Sequence, residues 1–257
     1  MYKYNPKVAG SGIITAIPQT GTCPNKCEDC FFQSGRSYLE PLVENLPNMP
    51  DQEDAEGRIV RVNDGNDSNV NPKLVMQCSY VYEDLFYNTA IPKNLEKFGD
   101  PVVLTVNPGK MTDTEWHKLD PIPKNLMFVR VRTNTWNIKN VVDPVVEYYT
   151  SREVPVVLTF MAYYNNESIP NKMVEFLHRD NPESLMKHSE CYVDRKRTLN
   201  NYWAITTWAW RQVMVRYQDN KWVYSCGKIE GELGDTKCRF CGNCIREYYA
   251  TQERLRV

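Results

Sequence analysis

The sequence has no long apolar stretch and few of the residues that build the commonest enzyme sites. No run of about 18 apolar residues occurs in the 257 positions, and no apolar segment follows the first residues as in a secretory signal, which predicts a cytoplasmic protein. Histidine occurs only three times. No glycine-rich phosphate loop, Ser–His–Asp set or zinc-protease helix is present, which argues against those three enzyme classes.

Cysteine, by contrast, is abundant, with nine residues. The cytosol keeps thiols reduced, so metal binding explains this number better than disulfides do. Seven of the nine form two groups: Cys23, Cys27 and Cys30, and Cys226, Cys238, Cys241 and Cys244. The sequence therefore predicts two metal centres. Of the two isolated cysteines, Cys78 is predicted to be a buried apolar side chain, and Cys191 is predicted to be exposed and able to donate hydrogen to a substrate radical.

Short apolar runs alternate with helical stretches over the first two thirds of the chain, which is typical of parallel β–α units. The predicted strands are Ile13–Ile17, Arg58–Val62, Leu74–Cys78, Val102–Val106, Leu126–Val131 and Val156–Phe160. We therefore expect an α/β fold, a partial (β/α)6 barrel over residues 1–180, followed by a small cysteine-rich extension over residues 181–257. Functional side chains should follow the carboxyl ends of the strands.

The first cysteine group is Cys23-Pro-Asn-Lys-Cys27-Glu-Asp-Cys30, in the loop after the first predicted strand. A structural zinc site normally has four protein ligands, so three thiols without a fourth nearby predict a centre with an open coordination position. Thiolate ligands favour an iron–sulfur cluster, which would keep one iron free here. An inert metal site is the alternative.

This Cys-x3-Cys-x2-Cys loop, after the first strand of a partial barrel, resembles the radical S-adenosylmethionine (SAM) superfamily. The resemblance covers about residues 10–165. It implies that Cys23, Cys27 and Cys30 bind three irons of a [4Fe-4S] cluster and that the fourth iron chelates SAM. It further implies that an external donor such as a flavodoxin or ferredoxin supplies an electron. SAM is then cleaved to methionine and a 5′-deoxyadenosyl radical, which abstracts hydrogen from a substrate.

The resemblance also implies which residues contact SAM. The superfamily usually has an aromatic residue just before the third cysteine, where this chain has Asp29, so Phe31 is predicted to take over the adenine contact. A turn after the second strand matches the place of a Gly-Gly-Glu-like turn that holds the SAM amino group. Its predicted contacts are Asn63, Asp64, Gly65 and Asp67. The alternative is a tight turn without a ligand.

Four residues at later strand ends are further candidates for the SAM carboxylate and ribose: Thr105, Asn107, Arg132 and Asn134. A guanidinium pairs bidentately with a carboxylate, and an amide can bind hydroxyl groups. For each of the four, a strand-end turn or a salt bridge is the alternative.

The second group places Cys238, Cys241 and Cys244 three residues apart, with Cys226 twelve residues upstream. Four ligands close a site, and the Cys-x2-Cys-x2-Cys run is more typical of a ferredoxin-type cluster than of a zinc ribbon. The superfamily resemblance suggests an auxiliary [4Fe-4S] cluster that passes electrons to or from the substrate. A zinc ion, or a cluster that only holds the extension in place, is the alternative.

The substrate is not specified by a motif. The second cluster favours a peptide or protein. Residues 185–257 carry 13 Lys and Arg against 8 Asp and Glu, whereas residues 1–184 carry 18 against 24. This basic, tryptophan-rich end also allows a nucleotide or nucleic-acid substrate, although such aromatic residues more often belong to an amphipathic hairpin packed on the main domain. A non-enzymatic iron–sulfur or zinc module that carries electrons or binds nucleic acid is a different class that also remains open.

Overall fold

The computed structural model of the chain describes residues 1–21, 23–25, 27, 30, 32, 37–107, 118–177, 186–195, 202–227 and 238–256. The fold is α/β, and its main feature is a parallel sheet of seven strands curled into a half-barrel. In spatial order these are β1 (Ile13–Ala16), β2 (Ile59–Val62), β3 (Leu85–Thr89), β4 (Val102–Val106), β5 (Leu126–Thr133), β6 (Val156–Phe160) and β9 (Val223–Ser225).

The sheet runs in chain order, and every neighbouring pair is parallel. A separate antiparallel hairpin consists of β7 (Tyr192–Arg195) and β8 (Tyr202–Ile205). The α-helices of the described residues are α1 (Leu42–Asn45), α2 (Gln52–Ala55), α3 (Pro72–Ser79), α4 (Asp143–Thr150), α5 (Thr207–Val215), α6 (Cys238–Cys241) and α7 (Asn243–Arg256). Helix α4 continues a π-helical turn over Ile138–Val142. None of the described helices is long and apolar enough to cross a membrane.

The two faces of the sheet pack against different elements because side chains alternate along each strand. On one face, Val60 and Val62 belong to a core that includes Val75 of α3 and Val145 of α4. On the other face, a second core joins Tyr248 of α7 to strand residues Ile59, Phe86, Val103, Phe128 and Val157. Helices cover the outside of a β/α barrel, so α7 occupies the inner face.

Helix α7 is fastened at the amino ends of the strands. The Tyr248 hydroxyl donates to Asp84 Oδ1 at 2.9 Å, and the Arg254 guanidinium donates to the carbonyl oxygens of Lys124 and Leu126 at 3.0 and 2.6 Å. The C-terminal segment therefore contributes both an edge strand and an inner helix to the half-barrel.

The predicted α/β class and curled parallel sheet are confirmed, but the strand inventory needs correction. The sheet has seven strands, because β9 pairs with β6. The predicted strand Leu74–Cys78 is wrong: these residues lie in α3, where Asn71 caps the helix and Pro72 begins it. The strand β3 follows that helix and was not predicted. The predicted domain boundary at residues 180–181 lies outside the described residues.

Candidate functional site

The described residues of the N-terminal cysteine loop, 23–25, 27 and 30, lie at the carboxyl edge of the sheet, beyond the end of β1. Two contacts between side chains fix its position. The Asn25 amide donates to Asp67 Oδ2 at 2.7 Å, beyond β2, and the Asn107 amide donates to Cys27 Sγ at 3.3 Å, beyond β4. The loop is therefore held at the edge where parallel barrels place their functional groups.

The three thiols differ in burial. Cys23 is buried, whereas Cys27 and Cys30 are half-buried. Burial raises the pKa of the Cys23 thiol to about 11, and the nearby Asp67 carboxylate and the two other cysteines raise it further. A bound metal would oppose this shift, because metal ligation requires the thiolate.

Asp67 connects this loop to two strand ends. Its side chain is almost fully buried and accepts four hydrogen bonds, from Asn25 Nδ2, Ala90 N and the Thr89 hydroxyl at 2.7 Å and from Asn69 N at 2.9 Å. Burial raises the pKa of Asp67, while these hydrogen bonds oppose the rise. Two donors on each oxygen occupy the acceptor sites of the carboxylate, so Asp67 positions the loop. Its predicted contact with the SAM amino group stays a prediction.

Two buried amide oxygens near Asp67 have no hydrogen-bond partner in the part of the chain that the structure describes. Asn63 has a left-handed backbone (φ 61°), and its amide donates to the Ser68 hydroxyl at 3.0 Å. Gln19 donates to the Asp67 carbonyl at 2.8 Å. The side-chain oxygens of Asn63 and Gln19 are buried and find no hydrogen-bond partner among the described residues. Buried acceptors normally have donors, and an ammonium group such as that of SAM would supply them.

Gly65, in the same turn, has a packing role. A Cβ at this position would overlap the ring of Phe32, which is buried against Ile17 and Leu39 and lies two residues after Cys30. The absence of a side chain therefore lets the cysteine loop close on the turn. Phe31, the predicted adenine contact, lies outside the described residues.

The other predicted SAM contacts differ in the hydrogen bonds that their side chains make within the protein. Asn134 accepts from the backbone of Trp136 and Asn137 at 3.0 and 2.9 Å and donates to the Tyr163 hydroxyl at 3.2 Å, so it organises its own turn. Arg132 is half-buried and donates through Nε to Met161 Sδ at 3.1 Å. Thr105 is half-buried near the end of β4.

The C-terminal cysteine group, Cys226, Cys238, Cys241 and Cys244, lines one cavity on the inner face of the sheet, together with Arg61 of β2 and Arg130 of β5. Cys226 follows β9, and the rest lie on α6 and the start of α7. The Asn243 amide donates to the Ser225 carbonyl at 2.8 Å, which ties the two segments together. The four cysteines thus share one cavity with two arginines that are distant from them in sequence.

The thiols of this group influence one another. A hydrogen bond with Cys226 lowers the pKa of Cys241 to about 6, and the same bond, with burial, raises the pKa of Cys226. Burial raises the pKa of Cys244 to about 11, while Arg130 and Arg61 oppose the shift. The two guanidinium groups therefore favour the thiolate form that metal ligation requires.

The lining of this cavity, four thiols beside two guanidinium groups, is chemically suited to an anionic metal–thiolate centre. Four thiolates also suit a zinc ion, which they bind at about 2.3 Å each. In the described ranges, no set of three His, Cys, Asp or Glu side chains is arranged to hold a metal ion. A cubane spreads four cysteines over four irons. The buried Arg61 Nε, which has no hydrogen-bond partner within the described part of the chain, would gain an acceptor from such a cluster.

The two isolated cysteines do not join either group. Cys191 is fully buried, so the prediction that it is exposed is wrong. It packs in a core with Tyr163 and Tyr192 that the hairpin closes. Cys78 is half-buried on α3 and not on a strand.

Sequence reasoning missed four residues that organise the two sites: Gln19, Asn25, Arg61 and Arg130. The two arginines carried a signal, because each lies in a strand between two buried valines. Gln19 and Asn25 carried none beyond their place after a strand.

Comparisons of the chain with protein-family models, curated proteins and solved structures find no match.

Proposed function

We propose that this protein is a radical SAM enzyme with two iron–sulfur centres. Cys23, Cys27 and Cys30 would hold a [4Fe-4S] cluster with one open iron, and the C-terminal cysteine group would hold a second, fully ligated one. The observation that carries the proposal is the position of the three cysteines at the carboxyl edge of a curled parallel sheet. They lie near two buried amide oxygens that have no hydrogen-bond partner among the described residues. An enzyme needs the open iron, whereas a simple electron carrier does not.

The chain's own residues would bind and orient SAM. The oxygens of Asn63 and Gln19 are suited to accept hydrogen bonds from the SAM amino group, and Arg132 is suited to pair with its carboxylate. Asp67 and Asn107 hold the loop in place. A reduced cluster held by Cys23, Cys27 and Cys30 would supply the one electron needed to cleave the sulfonium of SAM into methionine and a 5′-deoxyadenosyl radical able to abstract hydrogen.

The second centre would exchange electrons with the substrate or hold α6 and α7 in the half-barrel. We propose a peptide or protein as the substrate and a flavodoxin or ferredoxin as the electron donor. A nucleotide or nucleic-acid substrate is the second candidate, because residues 185–257 have the basic excess described above.

The proposal is tested by anaerobic reconstitution with iron and sulfide, followed by SAM and dithionite. We expect about eight irons per chain for two cubanes and slow formation of 5′-deoxyadenosine without substrate. Single Cys23→Ala, Cys27→Ala and Cys30→Ala variants should abolish that product, whereas the matched control Cys78→Ala should retain it.

Zinc without iron would refute both centres. Iron at both centres without any 5′-deoxyadenosine would refute the enzyme and favour a non-enzymatic electron-transfer module.

A further inference from the structure

Arg61 is a charged residue in a strand that is otherwise apolar. It lies on β2, between Val60 and Val62, and only 7% of its surface is exposed. Its side chain points to the inner face of the sheet, where it lines the cavity of the C-terminal cysteine group. Burying a charge costs several kcal/mol unless it is compensated, so the partners of Arg61 indicate its role.

The guanidinium has anionic partners on two sides. On one side it forms a salt bridge of 2.5 Å with Asp64, in the turn that also contains Asn63 and Asp67. On the other side it lines the same cavity as Cys226, Cys238 and Cys244, while its Nε has no hydrogen-bond partner among the described residues. Arg61 therefore lies between the C-terminal centre and the turn beside the N-terminal cysteine loop.

We propose that Arg61 is a shared counter-ion that raises the reduction potential of the C-terminal centre and transmits to it the charge state of the turn after β2. This inference rests on the proposed function, because it requires a redox-active cluster at those four cysteines. Arg61 is a positioning residue in this account, since it contacts ligands of the centre and not a reacting atom.

The physical basis is the charge of the centre. Reduction adds one electron and no atoms to a group that four thiolates already make anionic, so a nearby buried cation favours the reduced form. Asp64 draws the same guanidinium toward the turn and opposes this effect. A change of charge at Asp64 should therefore be felt at the centre through Arg61.

Arg130 provides a matched comparison. It lines the same cavity, but it donates to the Asn88 side-chain oxygen at 3.2 Å and its described polar contacts include no carboxylate. Removing Arg130 should lower the potential without breaking the link to the turn.

The test is a dithionite titration followed by electron paramagnetic resonance, on the full chain with Cys23, Cys27 and Cys30 changed to Ala so that only the C-terminal centre contributes. Arg61→Gln should lower the ratio of reduced to oxidised cluster at least tenfold at a fixed potential, which is about 59 mV for a one-electron couple. Arg61→Lys keeps the positive charge, so its ratio of reduced to oxidised cluster should stay close to that of the parent. Asp64→Asn should raise it.

The link to the turn is read from paired variants. Asp64→Asn should still raise the reduction potential in a chain that carries Arg130→Gln. It should not raise the potential in a chain that carries Arg61→Gln, because Asp64 acts on the centre through Arg61. Iron is counted in every variant.

If Arg61→Gln keeps its full iron content and its reduction potential is unchanged, this inference is overturned, but the proposed second centre is not. Absence of iron from the C-terminal cysteines of the parent would overturn the proposed second centre as well. If Arg61→Gln loses its iron, an unchanged potential in Asp64→Asn overturns the inference.

Discussion

Changing Asp67 to Asn tests whether this carboxylate holds the N-terminal cysteine loop. The substitution keeps the shape of the side chain but replaces one oxygen by an amide nitrogen. At Oδ2 that nitrogen would face two donors, Asn25 Nδ2 and Ala90 N. At Oδ1 it would face Asn69 N and the Thr89 hydroxyl, and only the hydroxyl can turn round to accept.

The expected loss of stability is that of the less costly arrangement, with the new amide nitrogen at the Oδ1 position. One hydrogen bond from Asn69 N to a charged acceptor is lost, its donor is left buried, and the remaining bonds lose the charge of the acceptor. Hydrogen bonds to charged groups contribute about 1.5–3 kcal/mol each, so we expect Asp67→Asn to lower the free energy of unfolding by about 2–4 kcal/mol.

Urea unfolding followed by circular dichroism measures this loss, and iron analysis shows whether the N-terminal loop still retains its metal. We expect the variant to lose iron from the loop before it loses iron from the C-terminal cysteines. Glu83→Gln removes an exposed carboxylate near β3 and should change stability by less than about 0.5 kcal/mol. If Asp67→Asn behaves like this control in both measurements, the carboxylate does not hold the loop.

Three further predictions concern other contacts. Gly65→Ala should cost about 1–3 kcal/mol in urea unfolding because its Cβ overlaps Phe32; Phe32→Leu in the same chain should recover part of the loss, and a neutral Gly65→Ala would contradict the packing. Burial lowers the pKa of His188 below its ordinary 6.5, so the unfolded chain binds the proton more readily and the free energy of unfolding should fall as the pH drops from about 7 to 5. His188→Gln should flatten this part of the curve of stability against pH. An unchanged slope in that variant would show that His188 is not the group responsible. Arg254→Met should lower the free energy of unfolding by about 1–3 kcal/mol, because it removes the hydrogen bonds to the carbonyls of Lys124 and Leu126. A protease should then cut α7 faster than in the parent protein. Equal rates of cutting in the two proteins would contradict this role of Arg254.

The sheet was largely predictable because its strands are short β-branched runs. Val102–Val106 and Val156–Phe160 have the predicted bounds, and the first three residues of each are buried, as continuous apolar runs in parallel sheets usually are. The three-residue strand β9 could not be predicted, because it is defined by pairing with β6 and not by a pattern of its own.

The error at Leu74–Cys78 has a local cause. A short apolar run does not distinguish a strand from a helix by periodicity alone. Asn71 and Pro72, just before the run, are a helix cap and a first-turn proline, and this signal should have decided the assignment. The true strand, Leu85–Thr89, ends in two polar residues and was overlooked.

The cysteines of the two groups could be found from spacing, but the side chains around them could not. Asp67 accepts hydrogen bonds from Asn25, Thr89 and Ala90, which all lie more than 20 residues from it in sequence, so its positioning role depends on the fold. Arg61 is similar, because nothing near it in sequence indicates that the C-terminal cysteines lie beside it.

Electron–nuclear double resonance on the reduced protein with labelled SAM tests the central claim, an open iron that binds SAM at the N-terminal loop. SAM carrying ¹⁵N in its amino group and ¹⁷O in its carboxylate is added to the anaerobically reconstituted chain. The account predicts ¹⁵N and ¹⁷O couplings to the cluster spin that disappear in Cys27→Ala and persist in Cys78→Ala. A reduced cluster that shows neither coupling at saturating SAM would contradict the account.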